Sequence, residues 1–303
     1  MNDKLRAWWQ AARPLAQANI AVPLLFGTAL AYGAAGVFSW ELFAVTLVIG
    51  VLDQLFIVFA NDVADEAGDR VNRTYSPFSG GSRVIPEGKL DAAALRRAAV
   101  FMVIGLAGVA TYAAAFQARP WMPVGMVAAV GLLWAYSFPP CRLSYRGYGE
   151  AAQGVGIGIA LPALAYYLQV GTLAGIPLVP LIFALVLGFV GNINTALPDE
   201  PADRVVEKLT WPVRFGMERA RRHTLGVTAL LAVATPFAFS SFQPMGVWLL
   251  LMLPAAVVTA INARTWRSAD PHDSRACTMF VFRNGLAGGL LLAGWSCGLA
   301  FPV

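Results

Sequence analysis

Two short stretches concentrate the side chains that could do chemistry. The first reads Asn61-Asp62-Val63-Ala64-Asp65-Glu66-Ala67-Gly68-Asp69, and the second Asp199-Glu200-Pro201-Ala202-Asp203. If the first is helical, Asn61, Asp65 and Asp69 recur every four residues and share a face, with Asp62 three residues before Asp65. Asp199 and Asp203 repeat the four-residue spacing. Gln54 and Asn192, seven residues before Asn61 and Asp199, extend both polar stripes back along the chain. Carboxylates stacked on one face repel each other, so the pattern is unfavourable unless a cation lies among them. Oxygen donors without His or Cys select a hard ion, and magnesium characteristically joins one or two carboxylates to substrate phosphates. A diphosphate is the natural third component.

Basic residues follow each stretch: Arg70, Arg73 and Arg83 after the first, Arg204, Lys208 and Arg214 after the second. Metal plus guanidinium makes a phosphate site, although each arginine taken singly also suits a topological or lipid-headgroup role. Between them, Pro77-Phe78-Ser79-Gly80-Gly81-Ser82 forms a Gly-Ser turn whose backbone N–H groups can approach an anion. Either acidic stretch alone would pass for a solvated helix end. Two of them, at equivalent ends of apolar segments, point to a site.

The elements that position these residues are membrane spans. Of 303 residues, 58% are hydrophobic and 13% charged, against roughly 25% charged in a soluble domain. Apolar runs long enough to cross the hydrocarbon fall at Leu15–Gly36, Glu41–Asn61, Ala98–Phe116, Trp121–Phe138, Ala151–Val170, Ile176–Leu197, Leu225–Phe242, Met245–Ile261 and Met279–Ala300. This predicts an all-α membrane protein of about nine helices in a single domain spanning residues 1–303. With the N-terminus inside, all the Lys and Arg residues except Arg119 fall on the cytoplasmic side, as insertion requires. Both acidic stretches then lie at the cytoplasmic boundary.

The formal charge of +5 sits in short loops beside apolar spans, where topology accounts for it, so no nucleic-acid partner is expected. Cys141, Cys277 and Cys297 have no disulfide or metal spacing. Asp53 is unusual, because it lies inside the second span, where a carboxylate is costly unless paired or facing a cavity. At 100° per residue it is offset roughly 80° from Asn61, which makes it a poor partner in the same metal site.

These residues resemble the UbiA superfamily of intramembrane prenyltransferases, in four stretches that match in order. Ala12-Arg13-Pro14-Leu15 resembles the entrance to the first helix, and Asn61 through Asp69 fits the first motif, Asn-Asp-x-x-Asp-x-x-x-Asp. Tyr136-Ser137-Phe138-Pro139-Pro140, with Arg142-Leu143 and Arg146-Gly147-Tyr148-Gly149-Glu150, is similar to the fourth-helix signature. Leu197-Pro198-Asp199 through Asp203, then Lys208, Thr210, Pro212-Val213-Arg214 and Gly216, resembles the second motif and its tail.

The resemblance implies a helical bundle around a central cavity and transfer of a prenyl group from an isoprenyl diphosphate to a small acceptor. It implies magnesium on Asn61, Asp65, Asp69, Asp199 and Asp203, with Asp62 in close support. It implies catalysis by Asp65, Asp69, Asp199, Asp203 and Tyr136. It places Ser137 and Lys208 on the substrates, beside Arg73 and Arg83 read above as diphosphate partners, with Arg13 and Arg142 as candidates for an acidic acceptor. Trp134 and Phe138 serve either the carbocation or ordinary packing and anchoring. The Ser-Gly-Gly-Ser loop looks closer to dihydroxynaphthoate prenyltransferases, which makes a small aromatic, quinone-precursor-like acceptor the expectation and the cell inner membrane its place. One departure stands out: the family commonly has Gly before the lysine of the second motif, whereas this chain has Glu207-Lys208, whose carboxylate either weakens the lysine's contact or faces water. A terpene cyclase shares the same ionisation site and remains an alternative. A transporter fits less well, because charged transport sites sit near the midplane.

Overall fold

The computed structural model describes residues 2–76, 79–266 and 273–301. Pro77, Phe78 and Arg267 lie outside this set. Among the described residues the regular elements are helices, in the order α1 (Asp3–Ala12), a 3-10 turn, α2 (Ala18–Ala35), α3 (Trp40–Ala64), α4 (Glu66–Val71), α5 (Ala92–Phe116), α6 (Met122–Ser137), α7 (Gly149–Val155), α8 (Leu161–Val170), α9 (Leu178–Ala196), α10 (Glu200–Val205), α11 (Trp211–Phe215), α12 (Met217–Ala238), α13 (Met245–Thr265) and α14 (Ser274–Ala300). Helix starts follow local chemistry, since Ser39, Asp91 and Asp273 accept from the N–H groups of Leu42, Ala94 and Ala276 and so cap α3, α5 and α14.

Seven helical stretches are long and apolar enough to cross a membrane, with α7 and α8 counted as one through a π turn at Gly156–Ala160. Each of the nine predicted runs coincides with a helical stretch, but two fall short of that standard. α6 has only 16 residues. α12 begins at Met217, ahead of the predicted Leu225, because the polar segment Glu218-Arg219-Ala220-Arg221-Arg222 is helical too, with Glu218 and Arg222 paired one turn apart. Arg221, read from sequence as a topology residue, is instead 1% exposed, with its guanidinium over the Phe280 ring.

Exposed apolar side chains such as Phe101, Ile104, Val127, Leu250 and Leu253 face outward, as lipid contact requires. Inside, small residues let helices approach. A Cβ on Gly27 of α2 would overlap the Pro162 carbonyl of α8, which is the close packing that membrane interfaces favour. The helices α4 and α10, which continue α3 and α9, pack against each other. That meeting brings the two acidic stretches together.

Candidate active site

α3 stops at Ala64, and Asp65 sits at the joint with backbone hydrogen bonds running Asp65 N to Asn61 O (2.8 Å) and Asp69 N to Asp65 O (2.9 Å). The chain therefore stays near-helical through the first stretch, as the spacing predicts. Across from it, Asp199 occupies the N-terminal boundary of α10, its side chain free of any capping bond, and Asp203 lies on the first turn. Asn61, Asp62, Asp65, Asp69, Asp199 and Asp203 all line one pocket of about 150 Å³, together with Arg13, Tyr136, Asn192, Lys208 and Thr210.

Most of these carboxylates are held by the protein itself. Asp65 accepts from Tyr145 Oη (3.0 Å) and Lys208 Nζ (2.9 Å). Asp199 accepts from Asn72 Nδ2 (2.8 Å) and Gly80 N (3.1 Å), and Asp203 from Thr210 Oγ1 (3.1 Å). Asp62 is bound by Ser82 through both its N–H (3.1 Å) and its hydroxyl. The Gly-Ser turn thus differs from the expectation that its N–H groups serve a bound anion: Gly80 and Ser82 give theirs to carboxylates of both acidic stretches. The loop is a clasp between them. Asn72 and Tyr145 were not singled out by sequence reasoning, because their partners are remote along the chain.

The described residues contain no group of three or more His, Cys, Asp or Glu side chains close enough to hold a metal by themselves. The donor set nonetheless fits magnesium, which keeps waters and takes one or two carboxylates plus phosphate oxygens rather than a complete protein cage. An ion here would be completed by its substrate.

The other expected residues divide. Among the described residues Tyr136 donates to no carboxylate but accepts from Asn192 Nδ2 (3.0 Å), which also donates to Gln153 (2.7 Å). Ser137 is buried and donates to Asn61 Oδ1 (2.7 Å), so it positions a ligand instead of lining the pocket. Arg83 reaches the backbone carbonyl of Asp69 and lies 4.5 Å over the Tyr75 ring, outside the acidic pocket. Arg142 stacks 3.6 Å over Tyr145. Arg73 is exposed and lines none of the described pockets. Trp134 and Phe138 stack on each other with centroids 4.7 Å apart and Trp134 half exposed, which is the anchoring alternative.

Burial, and then the neighbouring Asp65, Asp62 and Asp199 charges, push the Asp69 carboxyl up to about 8; burial pushes Asp203 up to about 7. Burial also opposes the Lys208 charge, but Asp65 and Asp203 hold its pKa well above the ordinary value. Without metal, the folded protein keeps protons on Asp69 and Asp203 that the unfolded chain, with carboxyls near 3.8, has released. The folded state then binds more protons over this window, so stability falls as pH rises from about 4 to about 8. A bound divalent ion favours the ionised forms. Magnesium should therefore raise the melting temperature more at about pH 8.5 than at about pH 6, measured by thermal unfolding in detergent. An equal or larger increment at the lower pH would contradict the assignment.

Glu207 resolves the one departure from the family pattern. It is exposed and has φ 57°, the left-handed region that glycine adopts freely. Glycine is common there for backbone reasons, and the Glu207 carboxylate faces solvent while Lys208 turns inward to Asp65. Glu207→Gly should leave both Michaelis constants unchanged and raise stability by about 0.5–1 kcal/mol, the left-handed penalty less the added chain entropy. Loss of stability, or a changed constant for the diphosphate, would contradict this reading.

Next to the acidic pocket lies a second cavity of about 200 Å³, walled by Ile20, Ile57, Val58, Leu132, Leu133, Ile157 and Leu161. Arg13, Asn61, Tyr136 and Gln153 line both. A charged compartment therefore opens onto an apolar one.

The UbiA prenyltransferase family model matches residues 20–286. Among curated relatives, the chain is 28% identical over 259 residues to the 1,4-dihydroxy-2-naphthoate octaprenyltransferase of Haemophilus influenzae, covering 80% of this chain and 82% of that protein. It is 26% identical over 300 residues to the 2-carboxy-1,4-naphthoquinone phytyltransferase of a Synechocystis species, covering 96% and 94%. Among solved structures, a UbiA homologue from Archaeoglobus fulgidus bound to DMAPP and Mg2+ superposes with a TM-score of 0.68 at 17% identity, over 96% of this chain and 98% of the other.

Proposed function

The chain belongs to the UbiA prenyltransferase family, and from that premise we propose that it transfers a prenyl group from an isoprenyl diphosphate to a small aromatic acceptor with magnesium as its metal. The observation that carries this reading is the opening of the six-residue oxygen-donor pocket onto an apolar cavity through Tyr136 and Asn61. An allylic diphosphate has the same two-part chemistry, a charged head and an apolar tail.

Asn61, Asp65, Asp69, Asp199 and Asp203 are the residues assigned to metal, with Asp62 held one step back by Ser82. Bound there, magnesium supplies positive charge to the departing diphosphate. Lys208 and Arg13, which line the same pocket, add theirs. The bond between the prenyl C1 and its oxygen breaks with the electron pair leaving on the diphosphate. Tyr136, which lines both compartments, is the aromatic ring nearest to where the resulting allylic cation would form, at the border of the apolar cavity that keeps water away. An electron-rich carbon or oxygen of the acceptor forms the new bond, and a proton is released. Relatives that act on dihydroxynaphthoate support a quinone precursor as acceptor. Arg73, Arg83 and Arg142 are left to membrane, loop and packing roles.

The site faces the cytoplasm in this reading, with the protein in the cell inner membrane. Cysteines placed at Gly88 and Ala174 of a cysteine-free variant should react with an impermeant thiol reagent from opposite sides, Gly88 from the cytoplasmic one. Labelling of both from one side would overturn the topology.

The test of function is to incubate purified protein with magnesium, isoprenyl diphosphates of several lengths and 1,4-dihydroxy-2-naphthoate, followed by mass analysis. The expected product carries the prenyl group in place of one hydrogen of the acceptor, or in place of its carboxylate, released as carbon dioxide. A cyclised hydrocarbon formed without acceptor would make the protein a cyclase instead, and the absence of any metal-dependent product would sink the proposal.

A further inference from the structure

Asp53 is the titratable group that the mechanism above does not use. It lies on α3 eight residues before Asn61, roughly 12 Å away at 1.5 Å per residue, and is 6% exposed. Gln54, its neighbour, is 3% exposed. Both line the apolar cavity. Among the described residues, no hydrogen bond or ion pair reaches either side chain. Gln54 is also where the sequence stripe from Asn61 enters the membrane.

A buried carboxylate and a buried amide, both unpartnered, are each unfavourable by some kcal/mol. The same cavity is walled by Ile57, Val58, Leu132 and Leu133 and also lined by Arg13, Asn19, Asn61, Tyr136 and Gln153, none of which bonds to either side chain among the described residues. The prenyl tail has nothing to satisfy them, because it carries neither donor nor acceptor. A carboxylate accepts and a glutamine amide can donate, so the pair fits a group that does both. Among the groups on an aromatic acceptor, a hydroxyl donates one proton and accepts through its lone pairs.

We propose that Asp53 and Gln54 are specificity-determining residues for the second substrate: a hydroxyl of the aromatic acceptor donates to the Asp53 carboxylate and accepts from Gln54 Nε2. This rests on the transferase reading and adds to it the functional group by which the acceptor is chosen. The acceptor then enters the apolar cavity with one hydroxylated edge against α3, and its reacting edge lies toward Tyr136 and the diphosphate. Ser137 is occupied with Asn61, while Asp53 and Gln54 are open to the cavity.

The test combines binding with turnover on the full-length protein in detergent. Probes are 1,4-dihydroxy-2-naphthoate, its two monomethyl ethers, and geranyl diphosphate with magnesium. Asp53→Leu is expected to weaken acceptor binding, measured by calorimetry, and to raise the acceptor KM by about 10- to 100-fold, as for loss of a hydrogen bond to a charged group. The KM for geranyl diphosphate should stay within about threefold, because a removed binding group weakens chiefly the ligand it touched. Wild type should reject one methyl ether, and Asp53→Leu should no longer distinguish that ether from the parent. Asp53→Asn and Gln54→Leu, closer in shape, should give smaller shifts in the same constant and serve if Asp53→Leu fails to fold.

Unchanged acceptor binding in the Asp53 and Gln54 variants, or a shift in the diphosphate constant alone, would overturn the contact while leaving the transferase standing. Equal use of both methyl ethers by wild type would also overturn it. Acceptor binding that depends on Asp53 but yields no product would sink the transferase reading and leave the contact in place. No binding of the diol to wild type would overturn the contact as well.

Discussion

Asp69→Asn is expected to abolish turnover while making the metal-free protein more stable. Among the described residues, the Asp69 side chain accepts no hydrogen bond, so its oxygens are the most available in the pocket. It is also buried beside Asp65, Asp62 and Asp199, which is why its carboxyl is pushed up to about 8. Asparagine keeps the shape and removes the charge. At about pH 8 and above the apo protein then loses a like-charge conflict, and its melting temperature should rise. Outer-sphere partners of metal ligands are worth about 10- to 100-fold, and a group that contacts the ion directly should exceed that, so kcat/KM should fall by at least about 10³-fold. The thermal increment given by magnesium should shrink as well. Turnover within about tenfold of wild type would remove Asp69 from the metal site.

The second large effect is expected at a residue that makes no polar contact through a side chain. Gly81 has φ 67°, and a Cβ there would overlap Asp69 Oδ2 and lie 3.1 Å from Asp62 Oδ1. Gly81→Ala therefore pushes a methyl group into the acidic pocket itself. Kinetics should show a higher magnesium requirement and a loss of about 10²-fold in kcat/KM, comparable with displacing a ligand's support. Gly88 provides the control. Its φ is 68° and a Cβ there meets nothing within 4 Å, so Gly88→Ala should share the backbone penalty of about 1–2 kcal/mol without the kinetic defect. If the two alanine variants behaved alike in kinetics, the steric argument at Gly81 would be wrong.

Much of the site was legible in the sequence because it is local. The four-residue spacings of Asn61, Asp65 and Asp69, and of Asp199 and Asp203, survive the joint at Asp65 and place all five in one pocket. Apolar run length marked the helices but not their polar ends or their span count: seven stretches reach spanning length, α6 is short, and α12 starts early because its polar first half is helical through side-chain pairing and through Arg221 packed inside the bundle. What sequence could not give was long-range. Asn72 meets Asp199 from 127 positions away and Tyr145 meets Asp65 from 80, and nothing in local periodicity encodes such pairs. The same holds for the clasp: Gly80 and Ser82 looked suited to a substrate anion, but the fold supplies carboxylates first. Arg73 was placed on substrate because it follows the first acidic stretch and Arg142 by its motif position, and their side chains end at the surface and on Tyr145. Glu207 illustrates the converse, where a residue type unlike the family's is tolerated because only its backbone conformation matters.

A divalent ion and a diphosphate should complete each other's binding between the two acidic stretches. This coupling is tested most directly by titrating manganese into the metal-free protein, with electron paramagnetic resonance reporting the bound ion, in the absence and presence of the non-ionising geranyl thiolodiphosphate. Weak manganese binding alone, strengthened by at least about 10-fold when the diphosphate analogue is present and lost in Asp69→Asn, is the predicted result; by linkage the ion must strengthen the analogue by the same factor. Binding of the analogue with equal affinity in the presence of a chelator, or manganese affinity indifferent both to the analogue and to Asp69, would contradict the account.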